Sequence, residues 1–176
     1  MRLFKKILIG LAVVLVLIQF VPRSINKSRE ILSADITKIY SVPDDVLSIF
    51  KNACYDCHSN HTRYPWYSHI QPFRLFLDKH IKDGKEELNF SEYGLYSVRR
   101  QRNKLKAIRE ALEDGTMPLQ SYRLMHPKAR LTKKQKDTIV RWINEISSLS
   151  IKTNINDFIT MKPQILNRVH YSKKRL

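Results

Sequence analysis

The stretch DDVLSIFKNACYDCH, residues 44–58, decides how this chain is read. Val46, Leu47, Phe50 and Ala53 recur at three- and four-residue steps, the period of a helix with one buried face. Ahead of them Ser41, Pro43 and Asp44 supply a capping serine, an early proline and an acidic first turn. The predicted helix runs directly into Cys54, Cys57 and His58, in the order Cys-x-x-Cys-His.

Two thiols one helical turn apart can reach the two vinyl groups on one edge of a haem and form thioethers, and a histidine next in sequence is turned beneath the ring to offer Nε2 to iron. The pattern is therefore the c-type haem attachment motif, one covalent haem per chain. The alternatives fit less well. A zinc site from Cys54, Cys57, His58 and His61 would need adjacent side chains to close one tetrahedron. A thioredoxin-type pair would need a βαβ setting, and no strand alternation occurs here. The chain has two cysteines only, too close together for a disulfide to brace a fold.

Outward from the motif, the pattern predicts an all-α domain. A loop over 59–72 carries Tyr64, Pro65, Trp66, Tyr67 and Pro72, and a short helix from Phe73 to Ile81 ends near Gly84. Asn89 to Glu92 forms a turn. A long basic helix from Ser97 to Glu113 buries Val98, Leu105, Ile108 and Leu112 and stops at Gly115. Pro118 forces Met117 out of the helical region, making 115–119 a loop. A last helix, capped by Thr132, sets Ile139, Trp142, Ile143 and Ile146 in register. Beyond Ser150 a basic tail continues, with helicity expected around Asn156 to Ile165.

The beginning is different in kind. Arg2, Lys5 and Lys6 precede an apolar run from Ile7 to Val21, interrupted by Gly10 and Gln19. Such a run is a secretory signal or a signal anchor. No small-residue cleavage site closes it, so an uncleaved single-pass anchor is expected, its basic end in the cytoplasm and the rest in the periplasm. The expected division is residues 1–22 anchor, 23–40 basic stalk, 41–149 haem domain and 150–176 tail. The net charge of +16 suits an anionic membrane surface or an acidic redox partner. The cations are spread along amphipathic segments without a recognisable nucleic-acid module, so nucleic acid is not an expected partner.

For the sixth position on iron Met117 is the first candidate, since its loop could point the thioether inward and methionine opposite histidine raises the reduction potential. His80 is the alternative, with His126 and His69 behind it. Tyr64, Trp66, Tyr67 and Arg63 are candidates to wall the pocket or meet the propionates. A backbone carbonyl near Pro65 or Pro72 is expected to orient His58.

The run from Cys54 to Asn60, followed by Thr62 to Tyr67 and Ile70 to Pro72, resembles the bacterial haem-binding domain family with a CxxCH motif. Leu88 to Glu92, the Met117-Pro118 loop, His126-Pro127 and Trp142 add to the likeness, which spans about residues 36 to 148. It implies a cytochrome c-like helical domain with haem on Cys54, Cys57 and His58; the N-terminal apolar run places the expected anchor in the bacterial inner membrane. The likeness names no enzymatic activity and leaves the distal ligand open. An electron carrier is the leading expectation; a haem enzyme or ligand sensor with an open or displaceable sixth site, or a non-haem metal-binding protein, are the alternatives.

Overall fold

The computed structural model describes residues 1–28 and 31–149; the C-terminal tail, with the helicity expected there, lies outside them. Helix α1 (Arg2–Leu17) passes into a 3₁₀ turn (Ile18–Phe20), and then come α2 (Ile36–Ile39), α3 (Asp44–Ala53) and α4 (Tyr55–His58). A 3₁₀ turn (Trp66–His69) leads to α5 (Phe73–Glu87), another (Phe90–Leu95) to α6 (Val98–Glu113), then α7 (Gln120–Met125) and α8 (residues 133–149). Among the described residues there is no strand, only an isolated bridge between Lys27 and His61. The fold is all-helical.

The long helices α3, α6 and α8 bury most of the face their period prescribes, but Val98, at the first turn of α6, is exposed. Val46, Ile49 and Phe50 from α3 meet Leu105 and Leu112 from α6 and Ile139, Trp142 and Ile143 from α8, with Phe90 and Tyr93 closing the cluster. Phe50 stacks on Phe90 at 5.0 Å and meets Trp142 edge-on at 5.7 Å. Trp142 satisfies its indole by donating to the Ser41 carbonyl at 3.0 Å, as a buried indole must. These contacts hold the α3–α4 corner in place, and the Cys-x-x-Cys-His run lies on that corner.

Helix boundaries follow local chemistry. Ser97 caps α6, its hydroxyl accepting from the Arg100 N–H. Gly115 stops that helix with φ +69°, a left-handed turn that glycine adopts without cost. Thr132 and Gln135 form a reciprocal capping box at the start of α8. At α3 the cap position is Pro43, not Ser41, because the helix begins at Asp44 and Ser41 stands two residues too early to cap it.

Two expectations need correction. Gly84 does not end α5, which continues to Glu87. The glycine is there because α5 packs on α4 so closely that a Cβ at 84 would stand 2.8 Å from the Cys57 carbonyl oxygen. Nor is 23–40 a free stalk. Asn26 donates to the Ser59 carbonyl and Thr62 hydroxyl, Ser28 N–H donates to the Asn60 carbonyl, and Ile36 is fully buried in the core. These residues belong to the domain.

Helix α1 stands apart. Residues Arg2–Phe20 are long and apolar enough to cross a membrane, and none of this segment is buried against the rest of the protein. A helix of this length and composition is a candidate membrane span, a character that a secretory signal shares.

Candidate functional site

Helix α3 ends at Cys54, whose φ of −125° breaks the helical path before α4 restarts. Within the new turn the N–H groups of Cys57 and His58 both donate to the Cys54 carbonyl. The two thiols and the imidazole are thereby fixed on one short, rigid unit. Both cysteines are free and half-buried. Burial, with the neighbouring Cys57, pushes the Cys54 thiol up to about 12. Burial, with Asp56, pushes Cys57 up to about 11.

His58 is locked by its far nitrogen. Nδ1 lies 2.8 Å from the Gly84 carbonyl and 3.1 Å from the Leu88 carbonyl. Two acceptors require a proton on Nδ1, which leaves Nε2 with its lone pair free. Burial lowers the imidazole below its ordinary range, the two carbonyls partly opposing it, so the ring is neutral at pH 7. The orienting carbonyls come from the end of α5, not from near Pro65 or Pro72, because α4 packs on that helix.

Three apolar cavities adjoin this unit. One of about 180 Å³ is lined by Cys54, His58, Leu88 and Phe90 together with Lys104, Ile108, Met117 and Pro118. A second, about 200 Å³, is shared by Cys54, Cys57, His58, His80, Met117 and Tyr122. A third, about 370 Å³, extends from Cys57 past Trp66, Phe73, Phe76 and His80 to Met125. Neutral thiols, a neutral imidazole with a free Nε2 and apolar walls suit a large apolar macrocycle with iron at its centre. They suit a bare divalent cation poorly, since such ions are held by several charged or polar ligands together. Among the described residues no group of three or more His, Cys, Asp or Glu side chains converges as a metal site. His61, the fourth member of the zinc alternative, is turned to the Ser28 carbonyl.

The other candidates separate. Met117 and His80 both reach cavities bordered by the motif. Trp66 lines the third cavity at its outer rim, 71% exposed. Tyr64 does not join the site: its hydroxyl accepts from the Asn26 N–H at 2.8 Å and its ring carries the Arg74 guanidinium at 4.2 Å. The buried Arg74 draws it that way, pinned by Asp78 and the Ser24 carbonyl. Arg63 is committed to Asp56 rather than to the cavities. His69 is exposed, and His126 bonds the Tyr67 hydroxyl at 2.8 Å while stacking on Tyr122.

Several residues with a role here were not foreseen. Asp56, inside the motif, is buried and receives the Arg63 N–H, the Arg63 guanidinium and the Tyr122 hydroxyl, the last at 2.6 Å. This ties α4 to α7 and carries the Tyr122 ring to the cavity wall. Burial, then Asp56, raises the Tyr122 phenol above its ordinary value, so it stays a donor. Lys104, paired with Glu87 at 3.7 Å, is a cation on the cavity that His58 shares with α6. A charge inside a motif read as x-x was the only available signal for Asp56. Tyr122 and Lys104 sit far along the chain and gave none.

The profile of the family described as haem-binding domain matches residues 13–145. No curated protein and no solved structure matches the chain. The matched span starts inside α1 and ends in α8.

Proposed function

Because this chain belongs to the haem-binding domain family, we propose that it carries one c-type haem, thioether-linked at Cys54 and Cys57, and works as a membrane-anchored electron carrier. The observation that carries this reading is the locked His58, whose Nδ1 is spent on the Gly84 and Leu88 carbonyls beside two neutral thiols. Bound haem supplies a one-electron couple tuned by its axial ligands and the polarity around it.

The chain's own residues do the rest. His58 offers Nε2 as the proximal ligand. The two ring nitrogens of imidazole point away from each other, so a ring bonded to α5 through Nδ1 presents Nε2 away from α5. Met117, on the loop after α6, lies in both cavities that His58 borders; His80 rides on α5 and is absent from the cavity that His58 shares with α6. Met117 would thus be the residue to hold the distal position, with His80 the alternative. Phe50, Leu88, Phe90 and Ile108 line the cavity that His58 and Met117 share and would keep water from it. Trp66 walls the outer rim. Lys104 is placed to meet an anionic group such as a propionate.

Arg2, Lys5 and Lys6 ahead of the apolar segment support an orientation with the haem domain on the periplasmic side of the inner membrane. The anchor is residues 1–22, and the domain reaches back to about residue 23.

Co-expression with cytochrome c maturation machinery and exposure of the reduced protein to carbon monoxide tests the carrier reading. The native spectrum should resist the gas, and Met117→Ala should bind it quickly. Rapid binding to the native protein would replace the carrier by a ligand-binding haem protein. Resistance in Met117→Ala would transfer the distal role to His80.

A further inference from the structure

The loop that carries the outer rim of the site is stitched to the end of the apolar helix. Gln19 Nε2 donates to the Gln71 carbonyl at 3.3 Å, and the Gln71 N–H donates back to Gln19 Oε1 at 3.1 Å. Four residues on, Arg23 donates to the His69 carbonyl at 3.0 Å. Residues 69–71 therefore sit where Arg2–Phe20 ends. A tether would swivel; this reciprocal junction fixes how the domain stands on its helix.

On either side of the junction the surface is apolar. Phe73 is 56% exposed, Phe76 62% and Trp66 71%, with Ile70 and Phe20 also out in solvent. The rings form one patch, since Tyr67 contacts Trp66 at 5.9 Å and Phe73 at 6.4 Å. Isolated exposed apolar residues are ordinary, but a contiguous aromatic patch marks a contact surface. Tryptophan and tyrosine at the end of an apolar helix are the residues favoured at the boundary between lipid and water. Arg23 lies beside the patch, bonded to the His69 carbonyl, as cations do that meet phosphate head groups.

We propose that Trp66, Ile70, Phe73 and Phe76 are seated in the head-group layer of the leaflet from which the apolar helix emerges, laying the domain down on the membrane. The occupant of this surface is phospholipid. Trp66, Phe73 and Phe76 also line the cavity next to Cys57, so this seating turns that side of the site toward the lipid. The inference rests on reading Arg2–Phe20 as a spanning helix.

The full chain, reconstituted in phosphatidylethanolamine–phosphatidylglycerol vesicles containing a trace of phospholipid with a carbene-forming acyl chain, is illuminated and the adducts are mapped by peptide mass. Label on residues 2–20 together with 66–76 is the expected result, with a severalfold loss at 66–76 alone in F73S/F76S. Label on 2–20 without label on 66–76 overturns the seated surface and leaves the spanning helix standing. Label on neither overturns both. An unchanged far-ultraviolet circular dichroism spectrum and Tm in F73S/F76S separate lost contact from lost fold; if that variant misfolds, F76S alone is read against the same pattern.

Discussion

A methyl group added at position 84 would meet the Cys57 carbonyl oxygen at 2.8 Å and the Cys57 Cβ at 3.3 Å. Neither α4 nor α5 can give way there without moving the carbonyl that holds His58. Gly84→Ala should therefore cost about 1–3 kcal/mol, the usual range for overpacking. It should also disturb the proximal iron spectrum; urea titration and the haem absorption bands check the two effects together. Unaltered values in both would mean that the helices separate freely. Tyr122→Phe keeps the ring on the cavity wall and removes one hydrogen bond to the Asp56 carboxylate. A hydrogen bond to a charged group is worth about 1.5–3 kcal/mol, and Arg63 remains to hold Asp56, so the lower end is expected. Thermal unfolding of the variant measures it, and no loss of stability would show that Asp56 is held by Arg63 alone.

At the scale of elements, α8 matters because it delivers Trp142 and Ile139 to the back of the α3–α4 corner. Its capping box satisfies otherwise unpaired N–H groups, and Thr132→Ala should lower stability by about 1 kcal/mol, seen as a lower Tm with an unchanged haem spectrum. A spectral change would mean that α8 positions the site more directly than its packing indicates. The helices that sequence periodicity anticipates are those whose buried faces repeat within themselves: Val46 to Ala53, Leu105 to Leu112, and Ile139 to Ile146. The motif, too, is local. What periodicity missed depends on partners distant along the chain. Gly84 looks like a helix stop until its neighbour is known to be Cys57. The carbonyls behind His58 come from residues 26 and 30 positions away. Tyr64 looked like a pocket wall because it stands near Trp66, yet the buried Arg74 turns it toward Asn26. The basic residues after Pro22 resembled a stalk because hydrogen bonds made by main chain leave no period.

For the whole molecule, a net charge of +16 produces a field that attracts anions and is screened over about 10 Å at 0.1 M salt. Reduction of the holoprotein by an anionic reagent should slow as salt rises, and reduction by a cationic one should quicken; stopped-flow mixing measures both. Identical salt responses would show that the charge lies away from the exchanging edge. All of this presupposes a haem held by covalent bonds on the α3–α4 corner. The most direct measurement is the intact mass of the full chain, made alongside the maturation machinery and unfolded in acid so that every non-covalent ligand is lost. The account predicts the polypeptide mass plus one haem, collapsing to the bare polypeptide in C54S/C57S. A native chain that already weighs no more than its polypeptide would contradict it.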